Sequence, residues 1–230
     1  MTNLSTAIKA ELTRLGADMV GFGDLTILPS DMRGDLPVGI SVGIRVPPDI
    51  VCGIAEAPTL EYWDYYHSGQ DALDKLADAS ADFVRSLGFE AIALTRNNVK
   101  FVGALRSALP YKTVATRAGL GWIGKCDLLA TEQFGTAVWF SAILTDAPLD
   151  CAKPITESKC GDCTVCRDAC PAGAISGKLW NVELDRDGFF DAAKCAAVTK
   201  VRANELIGVD YPLCGKCIAV CPRTKQALLN

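Results

Sequence analysis

Eight of the eleven cysteines of this 230-residue chain lie in two runs in its last third. Each run has the short spacings and the closing Cys-Pro that are typical of ligands to a [4Fe–4S] cluster. The first run is Cys160-x2-Cys163-x2-Cys166-x3-Cys170-Pro171, and the second is Cys195-x18-Cys214-x2-Cys217-x3-Cys221-Pro222. Eight thiolates are the complete ligand set of two cubic clusters, so the pattern predicts a protein that carries electrons.

The two runs are expected to share their ligands. The fourth cysteine of such a run binds the neighbouring cluster, because the x3-Cys-Pro step leads the chain away from the first site. This crossing predicts a first ligand set of Cys160, Cys163, Cys166 and Cys221, and a second ligand set of Cys170, Cys195, Cys214 and Cys217. Cys195 stands apart from the rest of its run, so we expect it on a separate element.

Two other uses of the cysteines fit less well. Zinc sites need only Cys-x2-Cys pairs, and runs of three cysteines followed by Cys-Pro are not how zinc ribbons are spaced. A disulfide framework would need an exported chain, and Met1-Thr2-Asn3-Leu4 does not open the apolar segment of a signal peptide. Free thiolates that hold oxygen-sensitive metal predict a reducing compartment, and hence a cytoplasmic protein.

Charge and hydropathy narrow the expected partners. The net charge is −4, and no block of Lys or Arg is dense enough to predict a phosphate-binding stripe. Half of the residues are hydrophobic, but the longest apolar stretch, residues 134–144, is about half the roughly 20 residues that a transmembrane helix needs. We therefore expect neither nucleic acid nor a membrane as a partner.

The residues before the cysteines alternate between helical and extended patterns. Apolar side chains at helical spacing predict helices at residues 5–15, 70–87 and 111–118, the first capped by Ser5. Short apolar runs predict strands at residues 19–22, 38–46, 90–95 and 136–145. This alternation predicts a three-layer α/β domain over residues 1–150, followed by a ferredoxin-like domain with two [4Fe–4S] clusters over residues 151–230.

The segment Arg117-Ala118-Gly119-Leu120-Gly121-Trp122-Ile123-Gly124-Lys125, the Gly-rich segment, is the second informative stretch. Its glycines have the spacing of a dinucleotide-binding loop and nearly spell a phosphate-binding loop. Both interpretations fail on context, because a helix is predicted before it and Cys126 replaces the Ser or Thr of a phosphate loop. The glycines allow close approach to a flat ligand, on which Trp122 could pack. A well-packed glycine turn is the alternative.

Taken in order, the Gly-rich segment, the sequence of residues 139–149, both cysteine runs and the single Cys195 resemble the epoxyqueuosine reductases, a family related to the reductive dehalogenases. The chain resembles a short, divergent member, with matches over roughly residues 66–222. The resemblance implies a cobalamin in the α/β domain, reduced by the adjacent cluster for the reduction of a small substrate. It places these residues around the corrinoid: Arg117, Gly119, Gly121, Trp122, Gly124 and Lys125.

The chain departs from the family pattern in two places. The resemblance implies a catalytic Asp about a dozen residues before the Gly-rich segment, but residues 101–116 contain no Asp or Glu. The dehalogenase branch uses a Tyr and a cation as its proton source, so Tyr111 and Lys112 become the catalytic candidates; a packing role is the alternative for Tyr111. The chain also ends nine residues after Cys221, which together with the acidic charge predicts that tRNA is not the substrate.

Two functions remain as alternatives. The first is a cobalamin-dependent iron–sulfur reductase that receives electrons from a redox partner such as ferredoxin or flavodoxin. The second is an electron-transfer or corrinoid-reducing accessory protein without its own cobalamin, which would act on a corrinoid protein. The missing acid favours the second, and the intact Gly-rich segment favours the first. Cys126 directly follows that segment and is expected to be a buried, inert thiol, although it could face the corrinoid.

Overall fold

The computed structural model describes residues 2–103 and 105–229. The helices are α1 (Asn3–Arg14), α2 (Ser30–Arg33), α3 (Pro48–Gly53), α4 (Leu60–Ser86), α5 (Tyr111–Arg117), α6 (Val165–Asp168), α7 (Ala192–Ile207), α8 (Lys216–Ala219) and α9 (Pro222–Ala227). The strands are β1 (Met19–Asp24), β2 (Val38–Arg45), β3 (Ala91–Leu94), β4 (Phe101–Gly103), β5 (Arg106–Ser107), β6 (Trp122–Ile123), β7 (Leu129–Ala130) and β8 (Val138–Thr145). Within the described residues, every helix is too short or too polar to cross a bilayer.

The chain divides into two compact units, and both are discontinuous in sequence. The first unit comprises Met1–Arg45, Gly69–Gly121 and Trp139–Ile155, and the second comprises Val46–Ser68, Trp122–Val138 and Thr156–Asn230. The last break between the two units, after Ile155, lies close to residue 150, where the sequence predicts the boundary between two domains. The prediction that residues 1–150 and 151–230 are separate domains stays a prediction.

The first unit is built on a four-stranded sheet with the order β1-β2-β8-β3. Strands β1 and β2 are antiparallel, as are β3 and β8. Alternate residues of β8 point to opposite faces, because side chains along a strand alternate. Ile143 joins an apolar cluster with side chains of α1 and α4, whereas Ala142 and Leu144 join a cluster that includes Val114 of α5. Helices thus cover both faces, and the predicted three-layer α/β architecture is confirmed.

Two predicted helices begin elsewhere than expected. Thr2, not Ser5, caps α1, since its hydroxyl accepts a hydrogen bond from the Ser5 N–H at 3.2 Å. Ser5 is instead buried, and its hydroxyl accepts the N–H of Asp150 at 2.9 Å. Helix α4 begins at Leu60, ten residues before the predicted residue 70, with Thr59 accepting a hydrogen bond from the Tyr62 N–H at 3.1 Å. The first ten residues of α4 include four aromatic side chains close together, so the apolar spacing of a helix was not recognised there.

Two glycines of β1 allow the C-terminal end of α5 to lie directly on the sheet. A Cβ atom at Gly21 would be 2.8 Å from the carbonyl oxygen of Ala118, and one at Gly23 would be 2.7 Å from the amide nitrogen of Ala118. Real Cβ atoms do not approach other atoms so closely, so any larger residue would displace the helix end. This packing fixes the start of the Gly-rich segment, where the Arg117 side chain donates a hydrogen bond to the carbonyl of Asp24.

The second unit has little regular structure apart from α7 and the first part of α4. Strands β6 and β7 form a small hairpin in which Trp122 lies opposite Ala130 and Ile123 opposite Leu129. Isolated bridges join Glu157 to Asn181 and Ile175 to Phe190. The loops and four-residue helices of this unit carry seven of the eight cysteines of the two runs, and α7 carries Cys195.

Candidate iron–sulfur site

The second unit contains an open cavity of about 400 Å³, part of which is open solvent, and its wall includes six cysteines. They are Cys126, Cys160, Cys163, Cys166, Cys217 and Cys221. The complete first ligand set lies in this wall, together with Cys217 of the second ligand set.

The thiols surround the cavity and do not converge on one point. Among residues 2–103 and 105–229, no three Cys, His, Asp or Glu side chains come together as a site for a single metal ion. A cubic cluster requires a wider arrangement, because its thiolates bind four separate iron atoms. The residues present therefore fit a cluster in this cavity.

The two cysteine runs fold in the same way at their ends. Helix α6 carries Cys166 and ends two residues before Cys170, and helix α8 carries Cys217 and ends two residues before Cys221. In each run the cysteine that precedes proline therefore lies beyond a helical turn, on a different element from its predecessor. The crossed ligand assignment stays a prediction.

The segment Trp122–Val138 fixes the position of Cys221. Helix α9 begins at Pro222, and its residue Thr224 is fully buried. The Thr224 hydroxyl accepts a hydrogen bond from the Thr136 N–H at 3.0 Å, and the hydroxyls of both residues lie 3.1 Å apart. Gly135 has a left-handed φ of 58°, and a Cβ atom there would be 2.3 Å from the Thr224 nitrogen. The turn and the helix thus pack with no space for a side chain between them.

Residues 46–68 contact the part of the second run around Cys217. The Lys216 ammonium, at the start of α8, donates a hydrogen bond to the carbonyl of Ala55 and lies 3.3 Å from the Glu56 carboxylate. The neighbouring helix α3 contacts α8. The position of Cys217 therefore depends on a part of the chain some 160 residues away.

Three cysteines of the second ligand set lie close together. Cys195 is on the first turn of α7, as expected for a separate element, and the N-cap residue Asp191 accepts a hydrogen bond from the Lys194 N–H at 2.8 Å. Burial raises the pKa of the Cys195 thiol to about 11, and the nearby Cys170 and Cys214 thiolates contribute to the increase. Thiolates crowded in this way repel one another, and bound iron would supply the compensating positive charge.

Lys125 places a buried positive charge in the wall of the cavity. Its side chain is only 5% exposed, and its ammonium donates a hydrogen bond to the Cys163 carbonyl at 3.0 Å. Within the described part of the chain, no carboxylate forms an ion pair with it. A buried charge is costly unless an opposite charge is nearby. A cluster held by four thiolates is anionic, so the charge of Lys125 fits a cluster in this cavity.

Trp122 is fully buried beneath two cations. The Arg223 guanidinium lies 4.6 Å and the Lys159 ammonium 5.5 Å from the centre of its ring. Its indole N–H has no hydrogen-bond partner among the described residues. An unmet buried donor costs about 1–3 kcal/mol, so this group would be stabilised by an acceptor on a bound ligand. The ring has no exposed face for a macrocycle, and the packing role predicted for it stays a prediction.

The six residues predicted to surround a corrinoid fall in both units. Arg117, Gly119 and Gly121 belong to the first, and Trp122, Gly124 and Lys125 belong to the second. Gly119 has a φ of 69°, and a Cβ atom there would be 3.0 Å from that of Ala152. One at Gly124 would be 3.7 Å from the Cys160 sulfur. These contacts are those of the alternative, a well-packed turn, and the corrinoid-binding role stays a prediction.

The Gly-rich segment joins helix α5 to the two-residue strand β6. It does not lead from a strand into a helix, which a dinucleotide- or phosphate-binding loop requires. The helix predicted before this segment, on which the argument against both motifs depended, is confirmed.

Tyr111 and Lys112, the catalytic candidates, begin α5 in the first unit. Tyr111 is half-buried against an apolar cluster that includes Leu25 and Val114. Burial, and secondarily the charge of Asp74, raises the pKa of Tyr111 to about 12, so the phenol keeps its proton at neutral pH. The packing alternative accounts for these contacts, and a catalytic role for either residue stays a prediction.

Sequence reasoning missed an aromatic cluster in the second unit. Trp63, Tyr66 and His67 lie on one face of α4, and the His67 ring meets that of Trp63 edge-on at 4.2 Å. The hydroxyls of Tyr66 and Tyr211 lie 3.0 Å apart. The spacing of three and four residues between the members on α4 is the signal that could have revealed the cluster.

Comparison with known proteins agrees with the cysteine pattern. Residues 159–224 match the family model of the 4Fe-4S double cluster binding domain. This range contains all eight cysteines of both ligand sets. The chain therefore has a domain for two [4Fe–4S] clusters.

The curated relatives extend the similarity beyond the cysteines. The epoxyqueuosine reductase of Bacillus cereus is 36% identical over 121 residues, which cover 50% of this chain and 29% of the relative. The chain is a divergent relative of the epoxyqueuosine reductases. It spans less than half the length of the curated relatives it matches.

Solved structures share the fold. A crystal structure of epoxyqueuosine reductase with an epoxyqueuosine-modified tRNA-Tyr stem loop matches with a TM-score of 0.66 and 21% identity, covering 96% of this chain and 65% of that one. A reductive dehalogenase described with a mechanism for B12-dependent dehalogenation matches with a TM-score of 0.68 and 18% identity, covering 97% and 33%. At these identities the match establishes the fold alone. The tRNA in the first structure leaves the prediction that tRNA is not the substrate without support.

Proposed function

We propose that this chain is an iron–sulfur reductase that passes electrons from two [4Fe–4S] clusters to a cobalamin-type cofactor, which reduces a small substrate. The observation that carries the proposal is the cysteine-lined cavity with the buried charge of Lys125 in its wall. A reductase role accords with the names of the curated relatives. The electron donor would be a small redox protein such as ferredoxin or flavodoxin.

The chain's own residues would perform three tasks in this reaction. The two ligand sets would hold the clusters, which supply one-electron transfer when bound. Lys125 would balance the negative charge of the cluster that the first ligand set holds. The packing of Thr224 against Thr136 would keep Cys221 in place.

The proposed cobalamin has a different kind of support. The fold is shared with a B12-dependent dehalogenase, and the Gly-rich segment resembles that of the epoxyqueuosine reductases. The unpartnered indole N–H of Trp122 would be available to an acceptor on a bound group. Without a cobalamin, the same clusters would serve the alternative function, an electron-transfer or corrinoid-reducing accessory protein.

The clusters and the cobalamin are tested on anaerobically reconstituted protein. We expect about eight iron atoms and eight acid-labile sulfides per chain, as two cubic clusters require. Titration with cob(II)alamin, followed by electron paramagnetic resonance, should give a base-off signal that Gly121→Val abolishes. An unchanged free-cobalamin spectrum at high protein concentration would refute cobalamin binding and favour the accessory function.

The substrate class is tested on an epoxyqueuosine-containing tRNA stem loop. We expect no reduction of this RNA, because the net charge is −4 and no acid lies in residues 101–116. Reduction at a rate comparable to that of an epoxyqueuosine reductase would refute a small substrate.

A further inference from the structure

The aromatic cluster of the second unit is partly open to solvent. It consists of Trp63, Tyr66 and His67 of α4 and of Tyr211, which lies between α7 and α8. Tyr211 is 37% exposed, and Leu60, at the start of α4, is 53% exposed. The ring centre of Trp63 lies 4.2 Å from that of His67 and 5.4 Å from that of Tyr211. Exposed aromatic rings held in this way are typical of protein-binding surfaces, because they contribute a large contact area and lose little side-chain freedom.

The aromatic cluster adjoins the loop that carries Cys214. Tyr211 precedes Cys214 by three residues. Tyr62, the sequence neighbour of Trp63, is buried, and a Cβ atom at Gly215 would be 3.1 Å from its ring. Gly215 directly follows Cys214, a residue of the second ligand set. The surface is therefore close to the second cluster site, as electron transfer requires, since its rate falls steeply with distance.

The helical turn that carries the cluster is negatively charged. Glu61 and Asp64 lie on either side of Trp63 in sequence, and both are exposed. Neither forms an ion pair within the part of the chain that the structure describes. The whole segment 46–68 contains four carboxylates and no Lys or Arg. Such a surface attracts positive charge and repels the phosphates of a nucleic acid.

The cations of neighbouring segments do not cancel this charge. The Lys216 ammonium lies 3.3 Å from the Glu56 carboxylate, and the Lys200 ammonium lies 3.2 Å from the Asp210 carboxylate. Arg202 of α7 is half-buried. The carboxylates of Glu61 and Asp64 therefore determine the sign of the charge beside the aromatic rings.

We propose that the aromatic cluster, with Glu61 and Asp64 beside it, is the docking surface for the electron donor, a redox protein with a positively charged contact surface. This inference rests on the proposed function, since the chain accepts electrons only when it holds its clusters. The reduced donor loses one electron and the oxidised second cluster gains it, and no bond forms or breaks. Lys and Arg side chains of the donor pair with the carboxylates and pack over the aromatic rings.

Ferric cytochrome c, a small haem protein with a basic surface, is the probe for this surface. The full chain is reconstituted anaerobically, reduced with dithionite and freed of excess reductant. Electron transfer to the haem is then followed by stopped-flow absorbance at several salt concentrations. One electron leaves the reduced chain and reduces the ferric haem, so the transfer runs in reverse across the same surface.

Two variants and a matched control are compared with the wild type after their iron contents are measured. Asp64→Asn removes one exposed carboxylate, and Trp63→Leu removes an aromatic ring but keeps an apolar side chain. Glu183→Gln is the control, because it removes an exposed carboxylate from another segment of the second unit.

We expect Asp64→Asn to lower the second-order rate constant by about three- to tenfold at low salt. The difference should disappear at roughly 1 M salt, where the Debye length is about 3 Å. Trp63→Leu should lower the rate constant at every salt concentration, and Glu183→Gln should match the wild type. Carbodiimide, which joins carboxylates to lysines, should link cytochrome c to Glu61 or Asp64.

Four results would overturn the inference. Equal rate constants for Asp64→Asn and the wild type at low salt would refute this docking surface, as would equal losses in Asp64→Asn and Glu183→Gln, and both would leave the proposed function intact. Reduction of the chain by an acidic ferredoxin that is faster at low salt than at high salt would refute a basic donor. Wild-type protein that binds no clusters would refute the proposed function as well. If Trp63→Leu does not fold, Asp64→Asn decides, because it changes only an exposed side chain.

Discussion

Replacement of Lys125 by methionine should lower the reduction potential of the cluster that the first ligand set holds. Lys125 is 5% exposed, and its ammonium reaches the carbonyl of Cys163, a residue of that set. Methionine is unbranched and of similar length, so the substitution removes the charge while it still fills the space. The positive charge favours the reduced, more negative cluster, and its removal therefore makes reduction harder.

The size of the shift follows from Coulomb's law. For a separation of roughly 6 Å between the ammonium and the added electron, and an effective dielectric constant of about 20, the interaction is about 3 kcal/mol. This corresponds to about 130 mV for a one-electron couple, since a tenfold change in the equilibrium is 59 mV. Relaxation and water entry reduce the value, so we expect a decrease on the order of 100 mV.

Potentiometric titration followed by electron paramagnetic resonance would measure the shift. Lys178→Met is the matched control, because it removes the same charge from an exposed position of the second unit. Its clusters should titrate as in the wild type. A Lys125→Met protein with its full iron content and an unchanged potential would contradict the assignment of Lys125 as the counter-charge.

Three further substitutions test how the chain holds its clusters. Cys195→Ala should lose one cluster and keep the other, so iron content should fall to about half; full retention would contradict the assignment of Cys195 to the second ligand set. Thr224→Val should lower the free energy of unfolding by about 1–3 kcal/mol, because it leaves the buried Thr136 N–H unpaired, whereas Thr224→Ser should cost less. Gly23→Val should destabilise the first unit by about 1–3 kcal/mol, since its Cβ would overlap the Arg117–Ala118 backbone. A denaturation midpoint equal to that of the wild type in chemical unfolding would contradict this packing.

The parts of the fold that follow local rules were predictable from the sequence. The four strands of the main sheet carry short apolar runs, and each lies within two residues of its predicted bounds. The cysteine spacings predicted a two-cluster domain, because they reflect the geometry of a single loop around a single cluster. Helix α5 was expected at residues 111–118 and spans Tyr111–Arg117.

The parts that depend on distant segments were not predictable. Nothing in the local sequence of residues 46–68 or 122–138 indicates that they join the cysteine-rich unit, since Lys216 meets Ala55, and Thr224 meets Thr136, only after folding. The position of the Gly-rich segment likewise depends on contacts with distant parts of the chain. Its residue types predicted a ligand, but the placement of Gly124 and Lys125 beside the cysteines depends on how the β6–β7 hairpin packs.

The two ligand sets have different electrostatic surroundings, which predicts the direction of electron flow. The cavity that contains the first set has Lys125 and Arg223 in its wall, and of these two cations Glu132 pairs only with Arg223. The second set has charges of both signs nearby. Beyond the effects of burial and of neighbouring thiolates, Asp127 and Asp191 further raise the pKa of Cys195, whereas Arg202 and Lys216 oppose the burial that raises the pKa of Cys214.

Positive charge stabilises a reduced cluster and negative charge destabilises it. The cluster of the first ligand set should therefore have the higher potential, and electrons should move to it from the cluster of the second. In Cys195→Ala protein, which should keep only the first cluster, the remaining signal should match the higher of the two wild-type potentials. A match to the lower potential would reverse the order and show that solvent exposure or hydrogen bonding outweighs these side-chain charges.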